Sequence, residues 1–152
     1  MSAPARRVLP PVWLVIFLAL TFVLDRWLPG MEIFESPWQL VAGVPLIVLG
    51  IAMTATSAGA FKRAGTPVVP FETSTTLVIR GWYRVTRNPM YLGLVLVLAG
   101  VGVLQGSLGA LLPLPAFIAI LHFRFIRGEE RFLEDIFGEE YRAYRARVRR
   151  WI

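Results

Sequence analysis

"PMYLGLVLVLAGVGVLQGSLGALLPLPAFIAILHFRFI", residues 89–126, is the stretch whose reading decides the fold. It is apolar almost throughout and too long for one bilayer crossing, since a spanning helix needs roughly 20 residues. Near its middle, "LQGSLG", residues 104–109, supplies glycines and polar side chains where the chain can turn. The stretch predicts a tight helical hairpin, with arms over about 89–105 and 108–126. Pro113 and Pro115, early in the second arm, either bend it or mark a later start.

Two more apolar runs precede the hairpin. "PVWLVIFLALTFVLDRWL", residues 11–28, is long enough to span if Asp25 and Arg26 reach the interface at its far end. "WQLVAGVPLIVLGIAMTATSAGAF", residues 38–61, opens on Trp38, which suits an interfacial anchor. Arg6 and Arg7 before the first run resemble a signal peptide, but no small-residue cleavage site follows, so a retained helix is expected. The length of 152 residues suits one domain over 1–152. At 56% hydrophobic with positive mean hydropathy, the chain carries more apolar surface than a soluble fold of this size can bury. The expected fold is all-α and integral to the membrane, with four transmembrane helices, a cytosolic loop over 62–88 and a cytosolic tail over 127–152.

Charge sets the orientation. With the N-terminus inside, Arg6, Arg7, the 61–88 loop and the chain from Arg124 onward hold fifteen of the sixteen basic residues, and only Arg26 falls outside, near Asp25, Glu32 and Glu35. Both termini are then cytoplasmic. An anionic membrane surface accounts for the net charge of +6 without any nucleic acid. With no cysteine and only His122, the composition excludes disulfides, a thiolate metal site and a multi-histidine cage.

In the tail, Phe125, Glu129, Phe132, Leu133 and Ile136 recur at helical spacing, so the last arm continues past the bilayer until Gly138 can break it. Tyr141, Tyr144, Val148 and Trp151 then share one face, with Arg142, Arg145 and Arg149 elsewhere. That pattern predicts an amphipathic C-terminal helix with its aromatics among lipid headgroups.

Two polar constellations meet this frame on the cytosolic side. In "LVIRGWYRVTRNPMYLG", residues 77–93, Asn88 is placed to cap and Pro89 to open the third helix. Asn88, Tyr91 and Leu92 share a face at the helix start, where free N–H groups attract anions, and Gly93 admits a close neighbour. Glu129 and Glu130 form the second, with His122 seven residues earlier in an otherwise apolar helix. The carboxylates could hold a ligand ammonium or ribose hydroxyls; alternatively they pair with Arg84, Arg87 or Arg127. The small residues of "AGVGV", 99–103, point to close helix packing.

These residues resemble the isoprenylcysteine carboxyl methyltransferase family, including its bacterial branch, which is related to the phospholipid methyltransferases. Leu77, Val78, Gly81, Tyr83, Arg87, Asn88, Pro89, Tyr91 and Gly93 match its first signature. Glu129, Glu130, Leu133, Phe137, Gly138, Tyr141, Tyr144 and Val148 match its second, and "FKRAGTPVVP" with Gly65, Thr66 and Pro70 is similar to bacterial members. The resemblance implies a membrane methyltransferase, in a bacterial inner membrane, that binds S-adenosyl-L-methionine on the cytosolic side. It implies a lipophilic small-molecule acceptor arriving laterally from the bilayer. It assigns the first signature and the glutamate pair to the cofactor; the reading of the residues themselves adds His122 to the cofactor set and makes Arg127, Glu130 and His122 the candidate catalytic residues. Asn88 and Thr75 stand where eukaryotic members carry histidine, and Phe125, flanked by Arg124 and Arg127, stands where they carry an arginine.

A carboxylate acceptor has no proton to lose, so the protein's task would be alignment and exclusion of water. An amine or thiol acceptor would need a base, for which His122 or a glutamate is available. A phospholipid or amine N-methyltransferase, and a non-catalytic lipid-binding protein of the same fold, are the alternatives.

Overall fold

A computed structural model describes residues 9–28, 30, 32–33, 35–65 and 76–152; Arg6, Arg7, Thr66, Pro70 and Thr75 lie outside them. The helices in chain order are α1 (Pro10–Trp27), α2 (Trp38–Arg63), α3 (Pro89–Gln105), α4 (Leu108–Leu111), α5 (Pro113–Ile120) and α6 (Arg127–Arg147). A 3-10 turn, Gly81–Arg84, precedes α3, and a π turn, Leu121–Ile126, joins α5 to α6.

The hairpin turns where the sequence predicts. Gly106, at φ 76°, takes the left-handed conformation that ends α3, and its N–H reaches back to the carbonyls of Gly102 and Val103. The Ser107 hydroxyl then accepts from the Ala110 N–H at 3.1 Å and caps α4. Pro113 occupies the first turn of α5, so the second arm starts twice: one turn as α4, then again at the proline.

Three stretches are long and apolar enough to cross a membrane: α1, α2 and the run from Leu108 to Arg147; α3, with 17 residues, is a shorter apolar helix. The outward faces of α1 and α2 expose Val15, Phe22, Leu40, Val48 and Ile51, a surface suited to lipid rather than water.

α2 and α3 pack antiparallel through glycines spaced seven apart on each. A Cβ on Gly50 would stand 2.5 Å from the Gly93 carbonyl oxygen, and one on Gly93 would stand 2.6 Å from that of Gly50. Gly43 and Gly100 repeat the relation two turns away, at 2.9 and 2.8 Å. In a bilayer, where burial of apolar groups drives little helix association, such backbone proximity supplies the packing energy. The expectation for "AGVGV" holds at Gly100; Gly102 instead faces Leu111 and the Ala110 carbonyl. On the other side of α3, Tyr91, Leu94, Val95 and Leu98 form the core with Phe17 of α1, Phe117 of α5, and Leu121, Phe125 and Ile126 of the π turn.

Of three local expectations, the second holds and the other two change. Asn88 stands at the cap position of α3, but its side chain makes no cap hydrogen bond. The last helix does continue beyond the apolar run, and Gly138, at φ 49° and ψ −114°, kinks it. The segment after the kink does not spend its aromatics on headgroups: Tyr141 and Tyr144 are 1% and 6% exposed and lie against protein. Periodicity had reported an apolar face correctly, but the partner is the chain itself.

At the end away from residues 87–91, the termini of α1, α2 and α3 surround an open polar cavity of about 490 Å³ lined by Asp25, Arg26, Glu32, Glu35, Gln105 and Ser107.

Candidate functional site

The two polar constellations meet. Arg87 and Asn88 lie just before α3, Tyr91 in its first turn, and Glu129 and Glu130 in the first turn of α6, just past the apolar stretch 89–126. The Tyr91 hydroxyl donates to Glu129 Oε1 at 2.7 Å, and the Tyr91 ring lies 6.2 Å from that of Phe125. The π turn matters here. Its wider turn lies between His122 and Glu129, so their seven-residue spacing is no longer two straight helical turns, and Phe125 meets Tyr91.

The adjacent glutamates have different surroundings. Glu130 is 7% exposed and held by two arginines. Arg87 Nη2 lies 3.2 Å from its Oε1, and Arg150 donates from Nε at 3.0 and 3.1 Å and from Nη2 at 2.6 Å. The fork geometry is the strong form of carboxylate recognition, and Glu130 in turn holds the Arg150 guanidinium above its ordinary pKa. Glu129 has no such cation. Its carboxyl group sits deep among protein atoms although the residue keeps a partly exposed side. Burial pushes its pKa up to about 7, the Glu130 charge adds to the rise, and the Tyr91 hydrogen bond opposes it.

The C-terminal segment completes the site. Thr86 and Arg149 form a parallel bridge, with the Arg87 N–H donating to the Arg149 carbonyl at 2.9 Å. Asn88 Nδ2 and the Thr86 hydroxyl both donate to the Arg150 carbonyl, at 3.0 and 3.1 Å. Asn88 therefore spends its amide on the chain terminus rather than on the helix it precedes. Trp151 packs against the core. From α6, the Tyr144 hydroxyl donates to the Tyr83 carbonyl at 2.7 Å, and burial raises the pKa of both phenols.

Of the residues singled out in the sequence, Arg87, Asn88, Tyr91, Glu129 and Glu130 come together, with Pro89 opening the helix beneath them. Others serve the scaffold. Gly93 faces α2, Tyr83 is buried 5.5 Å from the Phe61 ring, and Gly81, at φ 61°, shapes the 3-10 turn. Leu77 and Val78 are partly exposed in the segment before that turn. His122 meets the Phe123 ring edge at 4.9 Å, and Arg127, exposed, lies 5.8 Å from the Phe123 ring centre. The structure thus places His122 and Arg127 beside Phe123 rather than in hydrogen bonds with Glu129 or Glu130. Arg150 was missed. In sequence it is one of several tail arginines, and only the fold brings it back across twenty residues to Glu130.

Arg87 keeps two buried donors, Nε and Nη1, without a hydrogen-bond partner among the described residues. Unpaired buried donors beside a weakly compensated carboxylate are the complement of a zwitterion: the donors suit a carboxylate and Glu129 suits an ammonium or hydroxyls. The aminocarboxylate and ribose of S-adenosylmethionine carry these groups, so the residues present fit that cofactor.

Over 129 residues the chain is 30% identical to the cobalt-zinc-cadmium resistance protein CzcN of Cupriavidus metallidurans, covering 84% of this chain and 56% of that one. It is 41% identical over 63 residues to an uncharacterized protein of Haemophilus influenzae, covering 41% of this chain and all of that protein. The sequence pattern of the phospholipid methyltransferase family matches residues 38–140, from the start of α2 through both glutamates to the kink in α6. The chain belongs to the phospholipid methyltransferase family.

Proposed function

We propose that this protein is an integral membrane methyltransferase that uses S-adenosyl-L-methionine to methylate a lipophilic small molecule, with carboxyl O-methylation the favoured chemistry. One observation carries the reading: Glu129, a buried carboxylate whose partner is the Tyr91 hydroxyl, stands in the same cluster as the unpaired donors of Arg87. When bound, S-adenosylmethionine supplies a methyl carbon already activated by its positive sulfur. Glu129 would hold the ammonium or ribose hydroxyls, oriented by Tyr91, and Arg87 would receive the carboxylate. Tyr91, Phe125 and Trp151 supply apolar surface that excludes water from the reacting groups. The exposed apolar faces of the helices suit an acceptor that arrives from the bilayer. The charge distribution favours both termini in the cytoplasm of a bacterial inner membrane.

Isothermal titration with S-adenosylhomocysteine in detergent tests the cofactor; a folded protein that gives no heat above background at high micromolar ligand overturns the reading. Methyl-labelled S-adenosylmethionine, incubated with membranes, then reports the acceptor chemistry. Carboxyl methyl esters release labelled methanol in alkali, whereas N-methyl groups stay in the lipid extract. An amine acceptor is the second reading, which the match to the phospholipid methyltransferase family supports.

A further inference from the structure

We propose that Arg150 is a positioning residue of the cofactor site, neutralising Glu130 so that Glu129 can carry its charge, and that Arg149–Ile152 is a wall of the site rather than a free tail. The proposal rests on the reading that Glu129 receives a cationic or hydroxyl-bearing part of the cofactor.

The geometry for this is specific. Arg150 makes three hydrogen bonds to the Glu130 carboxylate, while its own carbonyl accepts from Asn88 and Thr86. One residue therefore ties the start of α3 to the first turn of α6 through side chain and backbone together. Trp151, next along, is seated on the core beside this anchor. Glu130 is too buried to be hydrated if a partner leaves, so loss of Arg150 exposes its neighbours to an incompletely compensated charge.

That charge acts on Glu129. Tyr91 of α3 donates to Glu129, Tyr83 of the 3-10 turn lies within its field, and Glu130 of α6 repels it electrostatically. Arg87 and Arg150 are the cations paired with Glu130, and His122 of the π turn and Tyr141 of α6 also lie within the field of Glu130 and Arg150. Removing Arg150 leaves Arg87 alone against Glu130, which disfavours the ionised form of Glu129. Removing the Glu130 charge does the opposite. A segment that served only to hold the fold together would not produce shifts of opposite sign.

The experiment is titration of the full chain with S-adenosylhomocysteine from pH 5 to 9, comparing wild type with R150A, R150K, E130Q and R150A/E130Q, with thermal melting and size exclusion as folding controls. In wild type, affinity falls as pH drops through about 7. In R150A the midpoint of that loss moves up, and in E130Q it moves down, each by on the order of one pH unit. R150K keeps the wild-type midpoint with an affinity several-fold weaker, because the charge remains while the fork is lost. The double variant returns toward the wild-type midpoint. If R150A does not fold, E130Q and R150K decide: an E130Q midpoint equal to wild type, or an R150K midpoint shifted like that expected for R150A, overturns the proposal. Wild-type binding with an R150A midpoint and affinity unchanged overturns the positioning role and leaves the cofactor reading standing. No binding by folded wild type removes both.

Discussion

Glu129 and Glu130 are neighbours in the chain and differ in what surrounds them, and the consequences can be measured separately. Glu130 is buried between Arg87 and Arg150, so Glu130→Ala would leave two cations facing a cavity and destabilise the fold by about 3–5 kcal/mol. Glu129→Gln should have the contrary effect on stability. Its pKa is raised in the folded state, so its favourable contribution is complete at pH values below the ordinary carboxylate range and is lost as pH rises through about 7. Melting curves in detergent should therefore show Glu129→Gln above wild type at pH 8 and level with it at pH 4. The same variant should bind S-adenosylhomocysteine at least about tenfold more weakly at pH 8, the loss of one charge-assisted hydrogen bond. Equal melting temperatures at pH 8 would mean that Glu129 bears no burial cost.

The elements were readable from sequence where a local cause sets them. Gly106 and Ser107 stop one helix and start the next through their own backbone and hydroxyl chemistry, so the arms fall at the expected residues. The π turn was not readable, because one widened turn in an apolar run leaves the periodicity of Leu121–Ile126 unchanged to inspection. Nor could periodicity say that Tyr141 and Tyr144 face protein, since it reports an apolar face without naming what covers it. The site was half readable: Asn88, Tyr91 and the glutamates stand in ordered motifs, whereas Arg150 and the inward turn of the last residues depend on contacts far apart in the chain. Two substitutions examine the elements directly. Gly50→Ala places a methyl against the Gly93 carbonyl and Val97, and should cost about 1–3 kcal/mol in a detergent denaturation assay. Gly138→Ala meets open space but must hold φ near 49° and ψ near −114°, so a cost of about 1–3 kcal/mol there would come from backbone conformation alone.

For the molecule as a whole, charge is segregated between the two ends of the bundle. Asp25, Glu32 and Glu35 gather where α1 ends and α2 begins, and the arginines of α6 and the C-terminal segment gather around the glutamate pair. The absence of native cysteine makes the topology easy to examine. With four crossings and the termini inside, Glu35→Cys should react with a membrane-impermeant maleimide on intact spheroplasts, and Arg145→Cys only after permeabilisation. Labelling of both from one side would overturn that arrangement. The interlocked glycines of α2 and α3 have a consequence of another kind, for how such a protein can change over time. A single inserted residue turns everything beyond it by about 100°. An insertion between Gly43 and Gly50, or between Gly93 and Gly100, would swing one glycine of its pair out of the interface and leave a side chain in its place. These helices can exchange residues but cannot gain or lose them within those intervals. Any change in length should therefore fall in the connections and the ends, where no glycine has to keep its place opposite another.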